Sequence, residues 1–344
     1  MVRMPSNTCL DGFEFRDDGF FFDTDGSACV LVGTVEFNDF WNAFDACFSS
    51  PLGRKLIYAA TDAEEAHLAM TQRAKFGKWF GRRRAEAYLN GRAACMGWGV
   101  FQHHRITLPA HDALTVGFLL AHREHLANER LNLEWNQPTS DQISLTLRPN
   151  QRAMTAPPPV HALAWLASNG EENRPSNPRL LDLDHRGATL YAGEAKSFFL
   201  PVAVVQRLVG DLRGRPIKVD GATTHWELDE AIEDGDLFKA VAHAAHIAYN
   251  NTDRLVYLQS RSDWSGHLSL QISDRGFGHV EVIRSILDGD DCTEFLIHSS
   301  LPAVVAGTVF GMWCRAHGLR GNVACTMVDG CLRLVVRQPQ MNYD

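Results

Sequence analysis

The chain predicts a mixed α/β fold of the α+β type, built as two tandem homologous domains, each an antiparallel sheet covered by helices. An internal repeat is the first reason. Met96-Gly97-Trp98-Gly99-Val100 leads through Gly117-Phe118-Leu119 to the alternating run Gln142-Ile143-Ser144-Leu145-Thr146-Leu147. Arg275-Gly276-Phe277-Gly278-His279 leads in the same way through Gly307-Thr308-Val309 to Cys331-Leu332-Arg333-Leu334-Val335-Val336. The two signatures lie 179 residues apart (Gly97 to Gly276) and the helix glycines 190 apart (Gly117 to Gly307), so a whole domain recurs rather than a short solenoid unit. Length is the second reason, since 344 residues make about two domains of roughly 150. The third is a stretch rich in Pro, Asn and Ser from Arg148-Pro149 to Arg179, which has a linker's composition. The expected boundaries are a first domain over 1–150, a linker over 151–179 and a second domain over 180–344.

Each half opens on a hairpin. In the first, Gly19-Phe20-Phe21-Phe22-Asp23 and Ala28-Cys29-Val30-Leu31-Val32 flank a turn at Asp25-Gly26. In the second, Gly187-Ala188-Thr189-Leu190-Tyr191 and Ser197-Phe198-Phe199-Leu200-Pro201 flank a turn at Ala192-Gly193. Short amphipathic helices follow, over Glu36 to Phe48 and Val202 to Leu212. A long helix comes next in each half. In the first, Asp62 caps a run that places Met70, Ala74, Gly77 and Gly81 on one face, flanked by Phe76, Trp79 and Phe80. In the second, Leu237, Val241, Ala244, Ala245 and Ala248 form the equivalent stripe. Asp253 to Leu258 and His267 to Ser273 read as strands. Within the linker, Val160 to Leu166 reads as a short helix packed on one domain.

Composition limits the function. Hydrophobic residues make up 45% and charged residues 22%, enough to bury a core in each half. A net charge of −8 argues against nucleic acid or an anionic membrane as the main partner. The basic run Arg73, Lys75, Lys78, Arg82, Arg83, Arg84 and Arg92 reads as a solvated helix face. The N-terminal residues lack the apolar core of a signal peptide, and no apolar run has the length of a membrane span. The eight cysteines are then reduced thiols, and a cytoplasmic location is expected.

The order of hairpin, helix, long helix, Gly-aromatic-Gly strand, small-residue helix and final strand resembles the 4-vinyl-reductase-type domain. That family is related to the sensor domains of phenol- and xylene-responsive activators, and more distantly to Golgi-transport tethering subunits. The nearest stretch runs from Leu301-Pro302-Ala303 to Gly311, then from Asn322 through Cys325, Gly330 and Cys331 to Leu334. The resemblance implies a hydrophobic pocket enclosed by helices over an antiparallel sheet. Zinc-bearing members supply a cysteine from the apolar helix, then an acidic residue three positions before the first of two closing cysteines. Here Ser299 or Ser300 stands near the first position, Asn322 replaces the acid, and Cys325 and Cys331 lie closer together. Two thiolates do not close a tetrahedral structural site, so Cys325 and Cys331 are expected to be a metal-free pair. Trp135 stands where Cys325 does in the first half.

No strong catalytic motif emerges. His122, His125 and Glu129 fall at i, i+3 and i+7 on one helix face, where two imidazoles and a carboxylate would suit an open metal site; the preferred reading is a polar exposed face. His243 and His246 fall with Lys239 and Asn250 opposite the apolar stripe and read as solvated. Alternation after the Gly-Trp-Gly strand would turn one of His103 and His104 inward. Asp263, Ser265 and His267 lack the strand-to-helix elbow of an acyl-transfer site, and no dinucleotide or phosphate-loop fingerprint occurs. The expected function is noncatalytic binding of a small apolar or aromatic molecule or a biosynthetic intermediate, as carrier, sensor or accessory factor, without a cofactor. Gly77, Trp98, His103, Phe118 and His122 would line the pocket of the first half, and Phe277, Phe310 and Trp313 that of the second, with the first half keeping the ligand. The competing classes are a metal-dependent enzyme using His122, His125 and Glu129, and a scaffold for a peptide or partner protein.

Overall fold

A computed structural model describes residues 10–71, 81–160, 163–166, 183–218, 226–318 and 320–338. Three mostly antiparallel sheets and eight helices make up the described residues, the mixed α/β class expected. The first half contains β1 (Glu14–Phe15), β2 (Phe21–Phe22), β3 (Ala28–Gly33), α1 (Thr34–Ala46), α2 (Lys55–Met70), α3 (Gly81–Cys95), β4 (Val100–Phe101), β5 (Arg105–Thr107), α4 (Asp112–Ala127), β6 (Leu131–Thr139) and β7 (Gln142–Pro149). The second contains β8 (Leu183–Arg186), β9 (Thr189–Ala192), β10 (Ala195–Pro201), α5 (Val202–Asp211), β11 (Trp226–Leu228), α6 (Gly235–Asn250), α7 (Trp264–Gln271), β12 (His279–Arg284), β13 (Thr293–His298), α8 (Pro302–His317), β14 (Asn322–Val328) and β15 (Cys331–Arg337).

Strand order repeats. One sheet runs β4-β5-β7-β6, and the other runs β11-β14-β15-β13-β12, so β12-β13-β15-β14 repeats the first connectivity. In both, one helix (α4 or α8) enters between the second and third strands in sequence. The extra strand β11 is the one parallel neighbour among the described strands, pairing with β14.

The hairpins of the two halves share the third sheet, ordered β1-β2-β3-β10-β9-β8. β3 and β10 pair antiparallel from Gly33 with Ser197 to Cys29 with Pro201, and most of these side chains are buried. The halves also exchange helices: α1 packs on α6 and α5 packs on α2.

Glycine explains why the repeated signatures turn where they do. Gly97 and Gly99 have φ of 74° and 110°, and Gly276 and Gly278 have 85° and 92°, backbone that a Cβ disfavours. Each corner then meets the other half's hairpin. A Cβ on Gly97 would stand 2.8 Å from the Leu190 Cβ, and one on Gly276 would stand 2.8 Å from the Cys29 carbonyl oxygen. Phe199 N–H donates to the Met96 carbonyl at 2.9 Å, and Arg275 Nε donates to the Leu31 carbonyl at 3.2 Å.

The helix glycines make the second close approach. Gly117 brings α4 onto α2, where a Cβ would lie 2.5 Å from the Ile57 carbonyl oxygen, and Gly307 sets α8 against the Ala242 carbonyl of α6.

Several expectations about elements are corrected. α2 starts at Lys55, so Asp62 sits inside it rather than capping it. Ala74, Phe76, Gly77, Trp79 and Phe80 lie outside the described residues, and Gly81 begins α3. His267 to Gln271 is helical, not extended. A capping box from Ser260 and Asp263 opens that segment, and Trp264 and Leu268 bury at helical spacing. Asp253 to Leu258 forms no regular strand. Within the connecting stretch Ala164–Leu166 makes a single 3-10 turn, anchored by Trp165 Nε1, which donates to the Glu233 carbonyl at 2.8 Å. Among the described residues no helix is long and apolar enough to cross a membrane.

Gly307→Ala forces a methyl into the α6 backbone, an overpacking that costs about 1–3 kcal/mol. Gly193→Ala, in an open turn, meets only the left-handed backbone preference, at the lower end of about 1–2 kcal/mol. Urea unfolding of the two variants should rank them in that order.

Candidate functional site

Trp98, Phe118 and His122 come together, but they fill the space between them. The Trp98 and Phe118 rings stack at 3.8 Å and 15°, and both side chains are fully buried. Trp98 Nε1 donates to the Phe199 carbonyl at 2.9 Å, which satisfies its polar handle internally. These aromatics pack as core side chains. His103 lies with His104 in the exposed bend between β4 and β5, because β4 ends at Phe101 before alternation can turn either ring inward.

His122 belongs to a buried charge cluster. Arg92 grips Glu64 with Nε at 2.9 Å and Nη2 at 3.3 Å, and reaches Asp23 with Nη1 at 2.7 Å. His122 Nε2 lies 3.0 Å from Glu64 Oε1, and its Nδ1 has no hydrogen-bond partner among the described residues. Burial alone would raise the Glu64 carboxyl; the Arg92 guanidinium and the His122 hydrogen bond outweigh it and hold the group far below the usual carboxylate range. Burial lowers His122, which favours the neutral imidazole. Glu64 is thus neutralised by Arg92 and hydrogen-bonded by His122, and the cluster acts as a structural tie between the turn after β2 and α2, α3 and α4.

His122, His125 and Glu129 do not converge. α4 ends at Ala127, and Asn128 turns into left-handed backbone, so Glu129 leaves the helix before completing the i+7 position. Among the described residues the His, Cys, Asp and Glu side chains that do converge as a metal-ligating set are His279, Glu281 and His298. Cys325 and Cys331 point to opposite faces of their sheet. Cys325 stands opposite Leu334 and faces the core, whereas Cys331 is three residues from Leu334 along β15. Burial pushes the Cys325 thiol well above its ordinary range. Ser299 Oγ accepts from Leu301 N–H at 2.9 Å, so it holds the entry to α8.

The aromatic residues assigned to the second half separate. Trp313 is core, its Nε1 donating to Thr293 Oγ1 at 3.2 Å. Phe277 lines a small apolar cavity between α1, α6 and α8, of about 50 Å³, closed on its polar side by Glu36, Gln271 and Arg275. Phe310 lines a larger one, of about 270 Å³.

That larger cavity is built from four elements. α6 presents His243, His246, Ile247 and Asn250 at i, i+3, i+4 and i+7, α8 presents Phe310 and Cys314 one turn apart, β11 supplies Trp226, and Arg320-Gly321 close one side. Trp226 meets Phe310 edge to face at 5.5 Å and 78°, and His246 stacks on Phe310 at 4.9 Å and 29°. Gly311 admits this packing, since a Cβ there would lie 2.8 Å from Tyr249 Cδ1 and 3.4 Å from His246 Nδ1. Burial pulls His246 down to about 4, so the ring is neutral at pH 7. Burial also pushes the Cys314 thiol up to about 11, so no thiolate nucleophile is available there at neutral pH. His246 and Trp226 are the residues that the sequence reading missed. The signal was the polar row on α6, which reads as solvated until β11 covers it.

Two outcomes follow from these placements. Trp98→Ala should destabilise the fold by about 3–5 kcal/mol, as removal of a buried aromatic does, measured by urea unfolding. The second concerns acid. His246 and His111 both titrate at about 4 in the fold because burial disfavours their charged forms. The unfolded chain, with histidines at about 6.5, therefore binds more protons below that pH, and stability falls as pH drops from about 6.5 toward 4. His246→Phe should flatten that slope in urea titrations at pH 7 and pH 4.5.

No family model, no curated protein and no solved structure matches this chain.

Proposed function

We propose that this protein is a noncatalytic binder of a small aromatic or apolar molecule, seated between α6, α8 and β11. The observation that carries the reading is the cavity of about 270 Å³ walled by Trp226, Phe310 and the neutral ring of His246. Ligand pockets commonly run from about 300 Å³ upward, and an apolar cavity of about 150 Å³ takes benzene, so this space suits one or two fused rings. His243, Asn250 and Arg320 supply the few polar groups that orient a ligand. The walls hold no activated nucleophile, which favours carriage, sensing or presentation over turnover. On this reading the chain is a duplicated unit of the 4-vinyl-reductase type whose second copy keeps the pocket, while the first has filled the equivalent interior with Trp98, Phe118 and a charge cluster. A cytoplasmic setting suits described cysteines that are free rather than disulfide-bonded, and neither nucleic acid nor membrane is needed as a partner.

The test is fluorescence titration with 1-aminonaphthalene, a neutral two-ring probe matched to the cavity, alongside indole as a two-ring competitor. Saturable binding displaced by indole is expected. Ile247→Trp, which fills the cavity from α6, should weaken probe binding at least tenfold while leaving the far-UV circular dichroism unchanged. Unchanged affinity in a folded Ile247→Trp variant would remove the pocket from the proposal.

A further inference from the structure

β12 and β13 pair with His279 directly opposite His298, and Glu281 follows His279 by two residues. Side chains alternate across a strand, so all three leave the same face of the sheet. It is the face away from the core, because Phe295 and Ile297 on β13 are the buried residues that point inward. The Nε2 atoms of His279 and His298 lie 3.6 Å and 3.7 Å from Oε1 of the same carboxylate, Glu281, and the three ligand atoms all lie within 4.8 Å of one another. A tetrahedral ion with bonds of about 2.1 Å has ligand-to-ligand edges of about 3.4 Å, so only a small contraction separates this spacing from a coordination shell.

The outer sides of both rings are already held. His279 Nδ1 lies 3.2 Å from the Asp18 carbonyl oxygen. A carbonyl can only accept, so that nitrogen carries the proton, and in the neutral imidazole Nε2 presents its lone pair. His298 Nδ1 lies 3.1 Å from Cys331 Sγ, across the other neighbouring strand. Ligating histidines are oriented in this way, with the second nitrogen bound to a carbonyl or another polar group. Three unrelated half-exposed residues would not be expected to have both distal nitrogens engaged and both proximal nitrogens on one carboxylate. The rings now stack at 4.2 Å and 8°, so binding requires them to turn until both planes contain the ion. Histidine χ2 wells are broad, and these side chains are 34% and 28% exposed, which leaves room for that turn.

We propose that His279, Glu281 and His298 form a binding site for a divalent transition-metal ion of the zinc class, with Cys331 and the Asp18 carbonyl as positioning groups. Three protein ligands on an open sheet face leave a coordination position for water or an exogenous ligand, and two imidazoles with one carboxylate favour such an ion over calcium or magnesium. The site is separate from the aromatic cavity and stands whether or not that cavity binds a ligand.

The experiment is calorimetric titration of the full chain, stripped with chelator, with Zn²⁺, and in parallel with Co²⁺ to read its visible d–d bands. One equivalent per chain is expected, with Co²⁺ bands of four- or five-coordinate intensity. The double variant His279→Ala/His298→Ala should lower Zn²⁺ affinity at least a hundredfold. Glu281→Gln, on a side chain 55% exposed and so tolerant of replacement, should lower it at least tenfold. Cys331→Ser should weaken binding about tenfold while keeping the stoichiometry, as loss of an outer partner does. His267→Ala, a half-buried histidine on α7 outside the cluster, serves as the control and should leave Zn²⁺ affinity unchanged. Failure of the wild type to saturate, or an affinity in Glu281→Gln equal to that of the wild type, overturns the proposal.

Discussion

The antiparallel ladder between β3 and β10 is the element on which both halves depend. It runs from Gly33 with Ser197 to Cys29 with Pro201, and buried residues dominate both strands. Because α1 begins directly after β3 and α5 directly after β10, an antiparallel pair sends the two helices off in opposite directions. Each lands on the long helix of the other half, α1 on α6 and α5 on α2. The glycine corners complete the exchange. The Gly97 corner abuts β9 and β10, and the Gly276 corner abuts β3. With β2 and β9 on their outer sides, the two most apolar strands of this sheet keep no free edge that could pair with another chain.

Charge is used differently in the two halves. In the first, Arg92 sits between Glu64 and Asp23, all three buried, with its guanidinium over the Trp98 ring at 5.4 Å. Removing one member of such a cluster costs about 3–5 kcal/mol, because it leaves the remaining charge buried without its partner. In the second half the corresponding tie runs between halves. Arg275 donates from Nη1 and Nη2 to the two Glu36 oxygens at 2.9 Å and 2.7 Å. Burial would raise Glu36, but Arg275 outweighs it and keeps the carboxylate ionised. This bidentate pair forms the polar end of the small apolar cavity, so the seam between α1 and the second half is closed by charge as well as by packing.

Much of the framework was legible in the residues. The Gly-aromatic-Gly signatures, the helix glycines, both hairpins and the first helices fall where their spacing places them, because each rests on a local requirement. Left-handed backbone needs glycine, and a helix crossing at Gly117 or Gly307 needs the absence of a Cβ. The interior roles were not legible. A tryptophan between two glycines looks the same whether it lines a pocket or fills a core, and Trp98 is decided by Phe118 and by the Phe199 carbonyl, far away in sequence. His246 reads as solvated on its own helix and is half-buried against Phe310, with Trp226 on the same cavity wall. The metal-like spacing of His122, His125 and Glu129 required a helix that ends too soon, while His279, Glu281 and His298 meet only through strand register, which no local pattern announces.

The β3 and β10 ladder also constrains how the chain assembles. Its partners are 164 to 172 residues apart in sequence, so closing it has a loop entropy cost that grows as about (3/2)RT ln n, before any of its hydrogen bonds form. The helix pairs α2 with α4 and α6 with α8 join segments much nearer in the chain, and nothing in them requires the ladder. Loop entropy therefore disfavours the ladder, relative to the local helix pairs and hairpins, until two partly built halves meet. Until then Val30, Leu31, Val32, Phe198 and Phe199 present apolar strand edges to solvent. The late step of folding is also the one at which two chains could pair with each other instead of each with itself.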